Sequence, residues 1–120
     1  MLLGIDLGGT NIAAGLVSED GTLIKKTSTP LGDAKTSAVA MADKMALLCK
    51  TLFEGIDESE VCAVGIGSPG IVNSERGTVI YASNIAFNNF PLAEEMEKRL
   101  QKKVCVVNDG NAAALVPFSR

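Results

Sequence analysis

The sequence predicts an α/β domain of three layers built on a mixed five-strand sheet. Three observations carry that prediction. Two short apolar runs, Leu2 to Leu7 and Ile12 to Val17, flank a glycine turn and lead into a third, alternating segment from Thr22 to Thr29, as strands of an antiparallel meander do. An apolar stripe then recurs at spacings of three and four from Ala38 to Phe53, the period of a helix lying on a sheet. Finally, Val61 to Gly67 and Val104 to Val107 are continuous apolar runs rich in β-branched residues, each preceded by a helical pattern, and crossovers through helices make such strands parallel.

Taken in order, Glu19-Asp20-Gly21 turns the second strand into the third, which ends before Pro30. Leu31-Gly32-Asp33 reads as a loop, and Asp33, Thr36 or Ser37 can cap the helix that follows. Along that helix Asp43, Lys44, Lys50 and Glu54 fall between the apolar positions Ala38, Met41, Ala42, Met45, Leu48, Cys49, Leu52 and Phe53, and Gly55 supplies a stop. The run from Val61 to Gly67 suits a central strand covered on both faces, closed by the turn Ser68-Pro69-Gly70. Ile71 to Asn73 and Thr78 to Ile80 flank Ser74-Glu75-Arg76-Gly77 and predict a small projecting hairpin, while Ser83 to Asn89 is polar and irregular. Pro91 suits a first helical position, with Leu92, Ala93, Met96 and Leu100 as the buried stripe of a second helix. After the strand at Val104 to Val107, Asn108-Asp109-Gly110-Asn111 leads into Ala112-Ala113-Ala114-Leu115, which can begin a third helix until Pro117 intervenes. Helices are therefore expected on both faces of the sheet.

Composition narrows the class of function. The 120 residues are one domain's worth, and their apolar runs are broken by glycine or charge before any could span a bilayer. With no basic stretch leading into a long apolar one, the expectation is a cytoplasmic protein without membrane contact. Eleven basic against fourteen acidic residues leave a net charge of -3, and aromatic residues are only 4%, so neither a basic stripe nor a stacking platform for nucleic acid is available. Cys49, Cys62 and Cys105 sit within apolar runs and read as small buried hydrophobes. No histidine and no Cys-x-x-Cys pair means that no zinc site is expected in this chain.

Ligands of open α/β sheets collect beyond the carboxyl ends of the parallel strands, so the residues just after each apolar run are the informative ones. Strand one ends in Asp6 and then Gly8-Gly9-Thr10-Asn11. The two glycines can take φ > 0 and admit an anion to successive N–H groups, Thr10 and Asn11 add side-chain donors, and Asp6 is placed to hold a cation such as Mg²⁺ or its waters. An ordinary hairpin turn would look the same. The central strand gives Gly67-Ser68-Pro69-Gly70, readable as a ligand loop or as glycines for close packing, and the last strand gives Asn108-Asp109, readable as a functional acid or as a helix cap. The first turn is not a G-x-x-x-x-G-K-[ST] loop, because no lysine follows and the next element is a strand, nor is it G-x-G-x-x-G.

A glycine hairpin that begins with an acidic residue, on a meander that continues into parallel strands, resembles the actin, hexokinase and heat-shock ATPase superfamily, whose domains are ribonuclease H-like. Within it the chain resembles the ROK family of repressors and sugar kinases, especially bacterial glucokinase-like proteins. Asp6-Leu7-Gly8-Gly9-Thr10-Asn11 is similar to the family's first phosphate segment and Gly65-Ile66-Gly67-Ser68-Pro69-Gly70 to its sugar-side loop. Asn84-Ile85-Ala86-Phe87 resembles the segment whose asparagine binds sugar hydroxyls, and Asn108 through Ala114 resembles the block with the catalytic aspartate.

The resemblance implies ATP-dependent phosphorylation of a hexose hydroxyl, with glucose the first choice of substrate. By that carry-over Asp109 is the general base, Asn84, Asn108 and Asp109 hold sugar hydroxyls, and Ser68, Pro69 and Gly70 shape the sugar pocket. Gly8, Gly9, Thr10 and Asn11 would face the phosphates of ATP, with Asp6 near Mg²⁺. A homodimer is possible, since the family often dimerises. The family's second domain, with the adenosine pocket and a His/Cys zinc cluster, would lie beyond residue 120, and Val116-Pro117-Phe118 replaces the small residue and glutamate expected there. Residues 1–120 are thus expected to be a single N-terminal domain with little kinase activity by itself. Repressors of the family carry a helix-turn-helix ahead of this domain, whereas strand one here begins at Leu2, which favours the kinase branch. The competing expectations are a non-catalytic sugar-binding or regulatory module and another ATPase of the superfamily.

Overall fold

The computed structural model describes residues 1–109. Its large sheet has the strand order β3-β2-β1-β4-β8, where β1 is Leu2–Leu7, β2 Asn11–Val17, β3 Leu23–Pro30, β4 Ala63–Ser68 and β8 Lys103–Asn108. β1, β2 and β3 form the expected antiparallel meander, and β1–β4 and β4–β8 are parallel. β3 runs one residue further than predicted, to Pro30. Among the described residues it pairs only with β2, and an edge strand tolerates a residue that has no N–H to give.

The parallel registers stack Leu3, Val64 and Val104 in one row and Ile5, Ile66 and Val106 in the next. All six are buried, beneath helices α1 (Ala38–Phe53) and α2 (Leu92–Leu100). α1 has the predicted bounds and buries Met41, Ala42, Met45, Leu48, Cys49, Leu52 and Phe53. Of its three candidate caps Ser37 is the one used, its hydroxyl oxygen accepting from the Ala40 N–H at 3.2 Å. At the other end Lys25 Nζ donates to the carbonyls of Leu52 at 3.0 Å and Glu54 at 2.9 Å, which the helix leaves without intrahelical partners, and Gly55 turns the chain at φ 79°. α2 starts one residue later than the sequence suggests, because Pro91 with ψ 72° stands at the cap and not in the first turn.

The two helices pack against each other on the same face of the sheet, joined by Arg99, which donates to Asp43 at 2.8 Å and to Glu95 at 3.0 Å. Among the described residues β4 is therefore covered by helices on one face. The other face presents Leu2, Gly4, Val17, Ala63, Gly65 and Cys105 around a shallow apolar hollow, and the third helix expected from Ala112 lies outside the described residues. This corrects the reading of two cysteines. Cys49 is buried, but Cys105 alternates with Val104 and Val106 and so points away from the helices, and Cys62 precedes β4 at an exposed position.

The predicted small hairpin is a three-strand antiparallel sheet of β5 (Ile71–Asn73), β6 (Thr78–Tyr81) and β7 (Asn88–Phe90). The added strand begins within the stretch Ser83 to Asn89, read as irregular, and ends one residue beyond it. Val79 opposes Phe90 and Tyr81 opposes Asn88, and the Phe90 ring stacks on buried Phe87 with centroids 5.5 Å apart.

Candidate phosphate and sugar site

Three strands deliver their last residues to one edge of the large sheet. Asp6 stands opposite Gly67 in the β1–β4 pair and Ser68 opposite Asn108 in the β4–β8 pair, and neither register carries a bulge. The first turn, the Ser68 loop and the Asn108-Asp109 pair thus open at the same edge, the place where parallel sheets hold ligands.

The turn after β1 is closed by the Gly8 N–H, which donates to the Asn11 carbonyl at 2.9 Å, and Asn11 Nδ2 donates to Thr10 Oγ1 at 3.3 Å. Gly8 is half-buried, while Gly9, Thr10 and Asn11 are exposed. Neither glycine has the positive φ expected of it. A Cβ on Gly8 would press the Asn11 carbonyl oxygen at 3.3 Å, and one on Gly9 would meet nothing within 4 Å. Gly9 offers unhindered approach to the backbone and Gly8 makes room for the Asn11 carbonyl that its own N–H binds, and neither supplies a special dihedral.

Asp6 lies at the end of β1 on the face away from the helices. Loss of hydration at the sheet edge and, second to it, the nearby Asp109 carboxylate hold its pKa above the usual aspartate value. A magnesium ion held by Asp6, with its remaining ligands from phosphate and water, would relieve the repulsion between the two carboxylates. Among the described residues no cluster of three or more His, Cys, Asp or Glu side chains is found.

Ser68 is fully buried and its hydroxyl donates to the Pro69 carbonyl at 3.1 Å, so it shapes the loop from inside. Gly70 has φ 91°, and a Cβ there would sit 2.1 Å from the Tyr81 carbonyl oxygen and 2.9 Å from Ala82 Cα. No other residue fits. Asn108 Nδ2 donates to the Gly70 carbonyl at 2.7 Å, tying the end of β8 to this loop. Asn84 is exposed, two residues past Ala82, on a segment pinned by buried Ile85 and Phe87.

The sequence missed how these segments are joined. The Leu31 N–H donates to the Thr10 carbonyl at 2.8 Å, and the Ala86 N–H donates to the Lys35 carbonyl at 2.9 Å. A stretch read as a plain loop therefore connects the glycine turn to the Asn84 segment. Gly32, with φ 57°, was the only signal of its shape.

A meander running into parallel strands, with a glycine turn after the first strand and an acid after the last, defines a domain of the actin and hexokinase class. The chain belongs to the ROK family, whose model matches residues 2–117. It is 41% identical over 117 residues to the glucokinase of Thermotoga maritima, a match covering 95% of this chain and 35% of that protein. To the glucokinase of Streptomyces coelicolor it is 40% identical over 114 residues, covering 95% and 34%. Among solved structures, a ROK family glucokinase from Streptomyces griseus in complex with glucose and AMPPNP superimposes with a TM-score of 0.84 at 38% identity, covering 94% of this chain and 34% of that one. The chain spans about a third of the length of these relatives.

Proposed function

We propose that this chain is the N-terminal domain of an ATP-dependent hexose kinase acting on glucose, and that it supplies one wall of the cleft. The observation that carries the reading is the shared edge at which Asp6, the Ser68 loop and Asn108-Asp109 meet without a register slip. The likeness to a glucokinase solved with glucose and AMPPNP supports the choice of substrates. ATP as co-substrate makes the cytoplasm its place of work.

In this reading Asn84 and Asn108 hold sugar hydroxyls, which need amide and carboxylate partners. Asp109 accepts the proton of the reacting hydroxyl as its oxygen bonds to the γ-phosphorus, while the bond from that phosphorus to the β,γ-bridging oxygen breaks and ADP leaves. The turn of Gly8, Gly9, Thr10 and Asn11 receives the phosphates, with the Gly8 N–H closing the turn and Gly9, Thr10 and Asn11 presenting the donors. Mg²⁺, with Asp6 as its protein contact, would neutralise phosphate charge. Positioning and charge neutralisation are most of what phosphoryl transfer asks of a protein.

A chimera tests this. The 120-residue chain alone should show little turnover with ATP, Mg²⁺ and glucose in a coupled assay, and joining it to the remaining two-thirds of the Thermotoga maritima glucokinase should restore phosphorylation. In that chimera Asp109→Asn should lower kcat by about 10²–10⁴-fold while glucose affinity is largely kept. Full turnover by the Asp109→Asn chimera would sink the reading, and so would ATP hydrolysis that ignores glucose.

A further inference from the structure

Leu31 is wholly buried and both of its backbone groups are committed. Its N–H donates to the Thr10 carbonyl at 2.8 Å, and its carbonyl accepts from the Ala34 N–H at 3.1 Å and from Lys44 Nζ at 3.2 Å. The next residues, Gly32–Thr36, form a 3-10 turn tightened by Thr36 Oγ1 donating to the Asp33 carbonyl at 2.7 Å and by the Ser37 N–H donating to the Ala34 carbonyl at 3.0 Å. From this turn the Lys35 carbonyl accepts the Ala86 N–H at 2.9 Å, between the two buried anchors Ile85 and Phe87. An unbroken path of short bonds thus runs from the glycine turn to the Asn84 segment. The carbonyls of Leu31, Asp33, Ala34 and Lys35 each accept at least one of these bonds, which restrains the turn along its length.

Lys44 stands out on α1. It is half-buried, it forms no ion pair among the described residues, and its ammonium is spent on one carbonyl, that of Leu31. A charged donor on a neutral acceptor is a strong hydrogen bond, and it sits at the joint where the turn leaves β3. We propose that Leu31–Thr36 is a strut that sets the spacing between the glycine turn and the Asn84 segment, with Lys44 as the positioning residue that locks it. The meaning of that spacing rests on the kinase reading, in which the two ends are the phosphate and sugar sides of one cleft.

Amide hydrogen exchange on the 120-residue chain tests the strut without any ligand. Lys44→Met keeps the apolar stem and removes the donor. It should speed exchange at both the Leu31 and Ala86 N–H groups by about fivefold, with Ile5 and Ile66 in the sheet unchanged, and Lys44→Arg should restore both. Gly32→Ala, which forces a side chain into a left-handed φ, should give the same paired acceleration from a different cause. An effect at Leu31 that stops short of Ala86 would overturn the proposal, as would no effect at either site in both variants. Acceleration spread equally over Ile5 and Ile66 would make Lys44 a general support of the fold, which also overturns it. Glucose binding, the test of the kinase reading, is a separate measurement, so the two failures are distinguishable.

Discussion

Two glycines of the site have opposite requirements. Gly9 has room for a side chain and an ordinary φ, so Gly9→Ala should leave the urea midpoint of the chain unchanged while weakening nucleotide binding by the glucokinase chimera, because the methyl group stands where a phosphate would approach. Gly70→Ala should cost about 3 kcal/mol in the same urea titration, since its Cβ would collide with the Tyr81 carbonyl at a φ that alanine avoids. The identity of Gly9 as part of a turn was plain in the sequence. The reason Gly70 must be glycine was not, because the obstructing carbonyl belongs to a different strand. Asp6 adds a pH signature. Its raised pKa means that its contribution to stability is fully present below the unfolded aspartate pKa and is lost as pH rises through the folded value. Asp6→Asn should therefore raise the melting temperature slightly at pH 7 and leave it unchanged in strong acid, and Mg²⁺ should stabilise the wild-type chain more than the variant.

At the scale of elements, legibility followed length and periodicity. α1 could be bounded from sequence because sixteen residues carry a sustained helical period and a serine precedes them. β7 could not be seen because it has three residues, one of them Asn89 with φ 50°, and its partner β6 lies across a loop. Ser37→Ala should destabilise the chain by about 1 kcal/mol through the lost cap, measurable by thermal melting with and without the substitution. Cys62 and Cys105 were misread for a related reason, whereas Cys49 is buried as expected. A continuous apolar run does not say which face will be covered, and among the described residues helices cover β8 on one. Cys62 and Cys105 should therefore react quickly with a thiol reagent, while Cys49, whose thiol burial pushes up to about 12, should react only on unfolding.

At the scale of the whole molecule, motif order disclosed the fold class and that the ends of β1, β4 and β8 open at one edge, but not the cross-ties from Thr10 to Leu31, Lys35 to Ala86 and Asn108 to Gly70. The first two join backbone groups far apart in the chain and leave almost no mark on residue type, and the third needs a side-chain amide at Asn108 whose acceptor, the Gly70 carbonyl, no pattern in the sequence points to. The uninterrupted parallel registers of β1, β4 and β8 have one more implication, for which length changes the gene can accept. Removing one residue from β8 would draw Asn108 and Asp109 back by about 3.3 Å and turn every later side chain of the strand to the opposite face. An added residue in the turn Ser18–Thr22, at the other end of the sheet and next to the irregularity at Leu16 and Val17, has a loop to enter. In a scan of single insertions and deletions read by glucose phosphorylation in the chimera, the Ser18–Thr22 turn should accept indels and Lys103–Asn108 should refuse them, so that the evolvable end of this domain would be the one furthest from the proposed site.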